Sequence, residues 1–503
     1  MDQKWPEQYP VYITNSFTRQ KEKFKPLHAS HIGIYVCGPT VYGDPHLGHA
    51  RSAITFDVVV RYFRFLGFTV RYVRNITDVG HLEDEVSDAG EDKISKKARL
   101  EKLEPMEVVQ MYTNRYHEAL SKLNVVPPSI EPTASGHIPE QIKVIEKIIE
   151  NGFGYEANGS IYFDLEKYAQ EQPYGKLSGK ILEDLKAGSR DTQGLSDKRS
   201  PHDFALWKKA NPEHIMRWDS PWGEGFPGWH VECTTMCTKY LGDEFDIHGG
   251  GLDLQFPHHE AELAQSFGAF HKNPVRYWMH NNLVSIDGQK MSKSLGNFIN
   301  LEEFYSGNHK KLEQAYTPMT VRFFILQAHY RSPIDFSNQA LQAAEKGLQK
   351  LMNTLESLEK LEHHPLEIDR ELDEEVRKIT LSCYENMSDD FNTAKTIASL
   401  FDMSSKINAF YNKQLNFSSI SSETYLLLRD TFKNFVEDVL GFQREKSDQT
   451  ERIDALVRLF VDLRKEAKAQ KDYTRADMIR HQLAEIGVHL KDEKGGDTTY
   501  TLS

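Results

Sequence analysis

Cysteine is scarce in this chain. Four of them, Cys37, Cys233, Cys237 and Cys383, in 503 residues exclude a disulfide framework. They leave buried thiols or metal ligands, and for any single one a buried thiol is the simpler account. No apolar run approaches the length needed to span a bilayer. The N-terminal MDQKWPEQYP lacks the basic-then-apolar pattern of a secretory signal. A cytoplasmic protein without a membrane partner is therefore expected. No GxxxxGK[ST] occurs, so a P-loop is not the route to a nucleotide. Repeats and low-complexity tracts are missing too. Positive charge is in deficit, with 61 Lys and Arg against 74 Asp and Glu and a net charge of −13. That argues against a broadly basic nucleic-acid binder, although affinity depends on local Lys and Arg near phosphates.

What is present describes a folded chain of several units. Apolar residues make up 39% and charged residues 27%, and the length predicts roughly three to five structural units. Ile32 to Cys37 reads as a buried strand, followed by a Gly38-Pro39 turn. Asp44 then reads as a helix N-cap with Pro45 at the first helical position. Ile54, Val58, Tyr62 and Phe65 recur at roughly helical spacing, and Gly67 fits the stop. Thr69 to Ile76 is a second strand. Strand, helix, strand predicts a parallel sheet, whose ligands bind at the carboxyl ends of the strands. Cys37 and His46 would sit there. The pattern changes at Pro127-Pro128, where short aromatic strands such as Ser160 to Phe163 suggest an inserted domain. The sheet pattern returns near Trp229. From Asn338, Leu341, Leu348, Leu351, Leu355 and Leu358 form one apolar helical stripe, and from Arg452 two charged helices and a short tail follow.

Three stretches carry candidate chemistry. His46-Leu47-Gly48-His49 places two imidazoles on one face at the positive end of a helix, with a glycine between them against which a flat ring can lie. Such donors can grip a developing pentavalent phosphate. Taken alone, two capping or surface histidines explain the motif as well. Lys290 and Lys293, in KMSKS after the Asp287-Gly288 turn, could close over a triphosphate; a solvated loop is the bland alternative. Asp246 to Glu262 (DIHGGGLDLQFPHHEAE) is the densest stretch. Gly249, Gly250 and Gly251 allow close backbone approach to a ligand or make a sharp turn. Asp253 could accept from ribose hydroxyls or an ammonium. Pro257 starts a helix on which His258 and Glu262 share a face, an N/O metal pair. A thiolate is the natural further ligand. Cys37 and Cys233 are available, and Cys237, four residues after Cys233, competes with it.

HLGH followed by KMSKS resembles the two signatures of the class I aminoacyl-tRNA synthetases. The wider blocks resemble the cysteinyl-tRNA synthetases over nearly the whole chain: YVCGPTVYGDPHLGHAR, NITD, GWHVEC, DIHGGGLDLQFPHHE, KMSKSLGNF, HYRSPIDFS and DDFNTA. The resemblance implies an α/β fold. A Rossmann-like parallel-sheet catalytic domain would occupy residues 1–126 and 223–285, split by an inserted connective domain at 127–222. A KMSKS-loop stem-contact region at 286–338, a helical anticodon-stem-binding bundle at 339–446 and a small anticodon-recognition domain at 447–503 would follow.

The resemblance also implies the reaction: ATP-dependent formation of cysteinyl-adenylate, then transfer to the 3′ end of the cognate tRNA(Cys), by a monomer. One zinc per chain would be held at Cys37, Cys233, His258 and Glu262, with Cys237 a bystander, and would select L-cysteine as its thiolate. Mg2+ would accompany ATP. His46, His49, Lys290 and Lys293 would act on ATP and its transition state, with Gly251 and Asp253 also at the nucleotide. Thr77, Trp229 and His248 would contact the amino acid. Two relatives of different purpose are weighed. One joins cysteine to an aminosugar and lacks a C-terminal tRNA part; the other is a non-catalytic RNA-binding paralogue that has lost a signature residue. The presence of Arg452 to Ser503 and of every signature residue argues against both. The chain departs from the family at Gly43-Asp44-Pro45, at Thr498-Thr499-Tyr500, and in the long segment after Asp78, which contains Lys93, Lys96 and Lys97.

Overall fold

The computed structural model describes residues 8–84, 89–180, 197–212, 214–291, 296–444, 448–470, 472–492 and 498–502. The expected parallel sheet is present. Its four strands lie in the order Val275–Asn281, Phe245–Gly251, His31–Val36, Thr69–Arg74, and every neighbouring pair is parallel. Ile34 is paired with both Ile247 and Tyr72. Helices cover such a sheet on both faces, so its inner strands read as near-continuous apolar runs; Ile32, Ile34, Tyr35 and Val36 are all buried. Beyond the strand end, the Cys37 N–H still donates to the Gly249 carbonyl at 3.1 Å. That bond ties together the two strand ends that carry the candidate site.

The first helix spans Leu47–Phe65, two residues later than the reading of Asp44 and Pro45 predicts. His46 is the N-cap, with extended backbone at φ −126°, ψ 177°. Its Nδ1 accepts the Gly48 N–H at 3.1 Å, and its own N–H donates to His49 Nδ1 at 3.3 Å. This is a capping box built from two histidines. Asp44 and Pro45 are committed elsewhere: Asp44 pairs with Arg115 at 2.8 Å, and the Pro45 carbonyl accepts the Leu301 N–H at 2.9 Å. The second strand also stops early, at Arg74. Ile76 and Thr77 donate instead to the carbonyls of Pro132 and Pro39.

Trp229, read from sequence as the return of the sheet, opens a helix, Trp229–Leu241; the sheet resumes at Phe245. Its positions His230 to Cys237 are all buried, so no polar face marks the helical period. Pro257 is likewise the N-cap, not the first residue, of helix His258–Phe270. Before Trp229, strands Gly154–Ala157, Ser160–Phe163, Phe204–Lys209 and Gly225–Pro227 form a separate antiparallel sheet.

Four helices, Asn338–Glu359, Arg370–Ser388, Thr393–Tyr411 and Ser422–Asn434, make up the helical region, and the leucine stripe of the first is buried throughout. Asp390 knits this region to the rest of its unit. Its carboxylate accepts from the Thr14 N–H at 2.8 Å, the Tyr330 hydroxyl at 2.7 Å and Arg331 Nε at 2.8 Å. The chain separates into compact units at 1–443 and 444–503. In the second, helices Asp448–Ala469 and Tyr473–Glu485 precede a hairpin of Val488–Asp492 with Thr498–Leu502, where a short tail is expected from sequence. Tyr500, opposite Leu490, packs on the core formed by Val457, Ile479, Leu483 and Val488. Among the described residues no helix is long and apolar enough to cross a membrane.

Candidate active site

A cavity of about 630 Å³ opens at the carboxyl ends of the parallel strands. It brings together Cys37, His46, His49, Thr77, Trp229, Cys233, Gly251, Asp253 and His258 from segments far apart in sequence. His248 and Glu262 are buried next to it. Lys293 lies outside the described residues. Lys290 is described only as backbone of the short strand Gln289–Lys290.

One wall is a four-donor cluster. Cys37 follows the strand His31–Val36, Cys233 stands on helix Trp229–Leu241, and His258 and Glu262 sit one turn apart on helix His258–Phe270. Their ligand atoms all lie within 4.8 Å of one another. The two sulfurs are 3.7 Å apart and both thiols are free. His258 Nε2 lies 3.3 Å from Cys233 Sγ and 3.2 Å from Glu262 Oε1. Burial pushes the Cys37 thiol up to about 12 and that of Cys233 well above its ordinary value. Burial also holds His258 well below the usual imidazole range. Two sulfurs, one imidazole nitrogen and one carboxylate suit a borderline-soft divalent ion such as zinc, whose charge favours the thiolate form that burial alone opposes. Cys237 stands apart from the cluster, its Sγ against the Thr234 carbonyl at 3.3 Å.

A second set, Cys37, His248, His259 and Glu262, meets the same distance test and shares two of its members with the first. His248 and His259 do not line the cavity, whereas Cys233 and His258 do. Both are instead engaged with the shared members. His248 Nε2 is 2.8 Å from Glu262 Oε2, and His259 Nε2 is 3.2 Å from Cys37 Sγ. Behind them His259 Nδ1 meets His280 Nε2 at 2.8 Å, and His258 Nδ1 meets His230 Nδ1 at 2.9 Å. Such partners fix the orientation of ligating side chains. Sequence reasoning does not find this layer. The only cue is the doublet at His258-His259, since His230 and His280 come from a distant helix and strand.

The floor beside the cluster is polar and buried. The Thr77 hydroxyl donates to the Glu232 carboxylate and accepts from Asn75 Nδ2 at 3.2 Å. Burial raises the Glu232 carboxyl well above the usual range. Glu232 lines the cavity; it lies inside the GWHVEC block, where its residue type alone assigns it no role. The glycine triplet is crowded mainly by the protein itself. A Cβ would come 2.2 Å from the Phe56 ring at Gly249, 2.9 Å from His259 Cε1 at Gly250 and 2.3 Å from Asp253 Oδ1 at Gly251.

The His46 and His49 rings also line the cavity and stack, with centroids 3.9 Å apart. Because Nδ1 accepts on both rings, each neutral ring carries its proton on Nε2. Burial lowers His49 to about 4, so the ring is uncharged at neutral pH. Gly48 is required here, since a Cβ would meet His46 Cε1 at 2.9 Å.

Comparison with known proteins agrees with this architecture. The family model described as tRNA synthetases class I (C) catalytic domain matches residues 23–346, and the DALR domain matches residues 383–444. A cysteine–tRNA ligase of Bacteroides fragilis is 56% identical over 492 residues, covering 97% of this chain and 98% of that protein. One from Cytophaga hutchinsonii is 58% identical over 489 residues with the same coverage. Among solved structures, the methionyl-tRNA synthetase of Mycobacterium tuberculosis bound by methionyl-adenylate aligns with a TM-score of 0.56 at 14% identity, covering 90% of this chain and 96% of that one. At that identity the likeness is one of fold.

Proposed function

The chain belongs to the family of cysteine–tRNA ligases, and from that premise we propose that its four-donor cluster is a zinc site that selects the amino acid. The activity is ligation of cysteine to tRNA at the expense of ATP. It proceeds through cysteinyl-adenylate, formed when the cysteine carboxylate displaces pyrophosphate from the α-phosphate. The tRNA 3′ end then takes the cysteinyl group.

The observation that carries the proposal is the convergence of Cys37, Cys233, His258 and Glu262 within 4.8 Å beside the cavity. Bound there, zinc supplies a soft Lewis acid whose preference for a thiolate over a hydroxyl separates cysteine from serine, a pair that packing alone separates poorly. The chain's own residues do the rest by positioning and hydrogen bonding. Trp229 packs on the amino acid and Thr77 flanks it, while His248 acts on it from behind the cluster through Glu262. Gly251 and Asp253 hold the nucleotide. The Nε2 protons of His46 and His49 face the phosphates, and Lys290 and Lys293 stabilise departing pyrophosphate. Mg2+ accompanies ATP.

The same proposal has one zinc per monomer, a cytoplasmic setting and tRNA(Cys) as the partner. The helical bundle at 339–446 receives the anticodon stem and the unit at 447–503 the anticodon. The match of a DALR domain at residues 383–444 supports a tRNA substrate over an aminosugar. Cysteine-dependent exchange between ATP and pyrophosphate, followed by charging of purified tRNA, tests the activity. Zinc-replete protein that exchanges with no amino acid would overturn it.

A further inference from the structure

The segment after Asp78 folds against the cavity, where His81 and Lys93 are among the lining residues. Strands Leu82–Asp84 and Ala89–Asp92 pair antiparallel, and the Lys93 N–H donates to the His81 carbonyl at 2.9 Å across the base of this hairpin. His81 is thereby held at the cavity, only 6% exposed, with Lys93 also lining the wall.

The His81 ring is stacked on the indole of Trp229, with centroids 4.0 Å apart and planes 10° from parallel. Its rotation is fixed at both nitrogens. Lys93 Nζ lies 2.7 Å from Nε2, and an ammonium can only donate. Nε2 therefore accepts, and Nδ1–H donates to the Thr40 hydroxyl. Two further imidazoles approach the indole less squarely: the cluster residue His258 at 4.3 Å and 32°, and His230 at 5.1 Å and 38°. His81 is the flattest and closest of the three, and it stands outside the proposed metal site.

We propose that His81 is a positioning residue for amino-acid selection: held by Lys93 and Thr40, its ring braces Trp229 against the cysteine subsite. The inference rests on the reading that Trp229 packs on the substrate. Its physical content is preorganisation. An indole already stacked in its working position loses little freedom when the small substrate arrives. Without the brace, cysteine itself must supply that ordering, so its binding weakens while that of ATP, which Trp229 does not contact in this reading, is unchanged.

The test is steady-state ATP–pyrophosphate exchange with full-length, zinc-loaded protein, comparing wild type, His81→Ala and His81→Phe. The expected result is a KM for cysteine raised roughly 3- to 10-fold in H81A, the scale of one lost aromatic pair. KM for ATP and zinc content should stay within about twofold of wild type, and H81F, which keeps a flat ring, should recover most of the loss. The assignment is overturned if H81A leaves the cysteine KM unchanged, if both KM values rise together, or if H81F fails to recover. Should H81A not fold, His81→Gln, which keeps polar atoms but no ring, carries the same expectation. Wild-type protein without cysteine-dependent exchange would overturn the underlying activity as well; a normal wild type beside an unaffected H81A overturns the brace alone.

Discussion

His258 and Glu262, one helical turn apart, hold Nε2 and Oε1 at 3.2 Å, and the same Nε2 lies 3.3 Å from the sulfur of Cys233 on a different helix. Three donors thus meet across two buried helices before the fourth, Cys37, arrives from the end of a strand. Burial keeps both sulfurs as neutral thiols unless a bound cation favours the thiolate form. Cys233→Ala should therefore lower bound zinc from about one per chain to a small fraction, and cysteine-dependent exchange by roughly 100-fold or more. Elemental analysis of the purified variant checks this; full zinc occupancy would contradict it.

Gly48 has no room for a side chain, since its Cβ would sit 2.9 Å from His46 Cε1. Gly48→Ala should push the His46 ring off its stack on His49 and lower the exchange rate on the order of tenfold or more. Zinc content should not change, because neither Gly48 nor His46 belongs to the cluster. A variant with normal kcat would show that the stacked geometry is not used.

The half-buried His49 makes a pH prediction with a definite sign. Its folded pKa of about 4 lies below the ordinary imidazole value of 6.5, so the unfolded chain binds more protons between them. Its contribution to stability is intact above pH 6.5 and is lost as pH falls toward 4, about 2 kcal/mol of it between pH 7 and 5. Denaturant unfolding of wild type and His49→Gln at those two pH values should show a smaller acid-induced loss in the variant. Equal losses would contradict it.

Asp57 and Arg322 form an ion pair with both side chains fully buried, and the same carboxylate accepts from Arg61 Nε at 2.8 Å and from the Val126 N–H at 2.7 Å. Arg322→Met should destabilise the protein by roughly 3 kcal/mol, because a buried carboxylate loses a partner. Thermal unfolding reads the effect, and zinc content should be unaffected in protein kept below the transition.

Much of this site was legible in the sequence, and the parts that were not have physical reasons. The parallel unit showed itself because strand, helix and strand follow one another within Ile32 to Ile76. His258 and Glu262 could be paired by helical spacing. Cys37 and Cys233 could not, because their approach depends on how a strand and a helix far away in sequence pack; there the family resemblance named them. The start of the first helix was misplaced because Asp44-Pro45 is a good cap signal, yet its polar groups are used by Arg115 and Leu301. Helix Trp229–Leu241 was missed because it is buried over most of its length. The imidazoles of His81, His230, His259 and His280 carry no spacing rule, so only the fold brings them behind and beside the cluster.

The most direct test of the account is cysteine-dependent ATP–pyrophosphate exchange before and after zinc removal, with serine as the competing amino acid. The account predicts that exchange with cysteine disappears in metal-free protein and returns with about one equivalent of zinc per chain, while serine supports little exchange in the zinc-loaded form. Metal-free protein that still exchanges with cysteine and still rejects serine would contradict it.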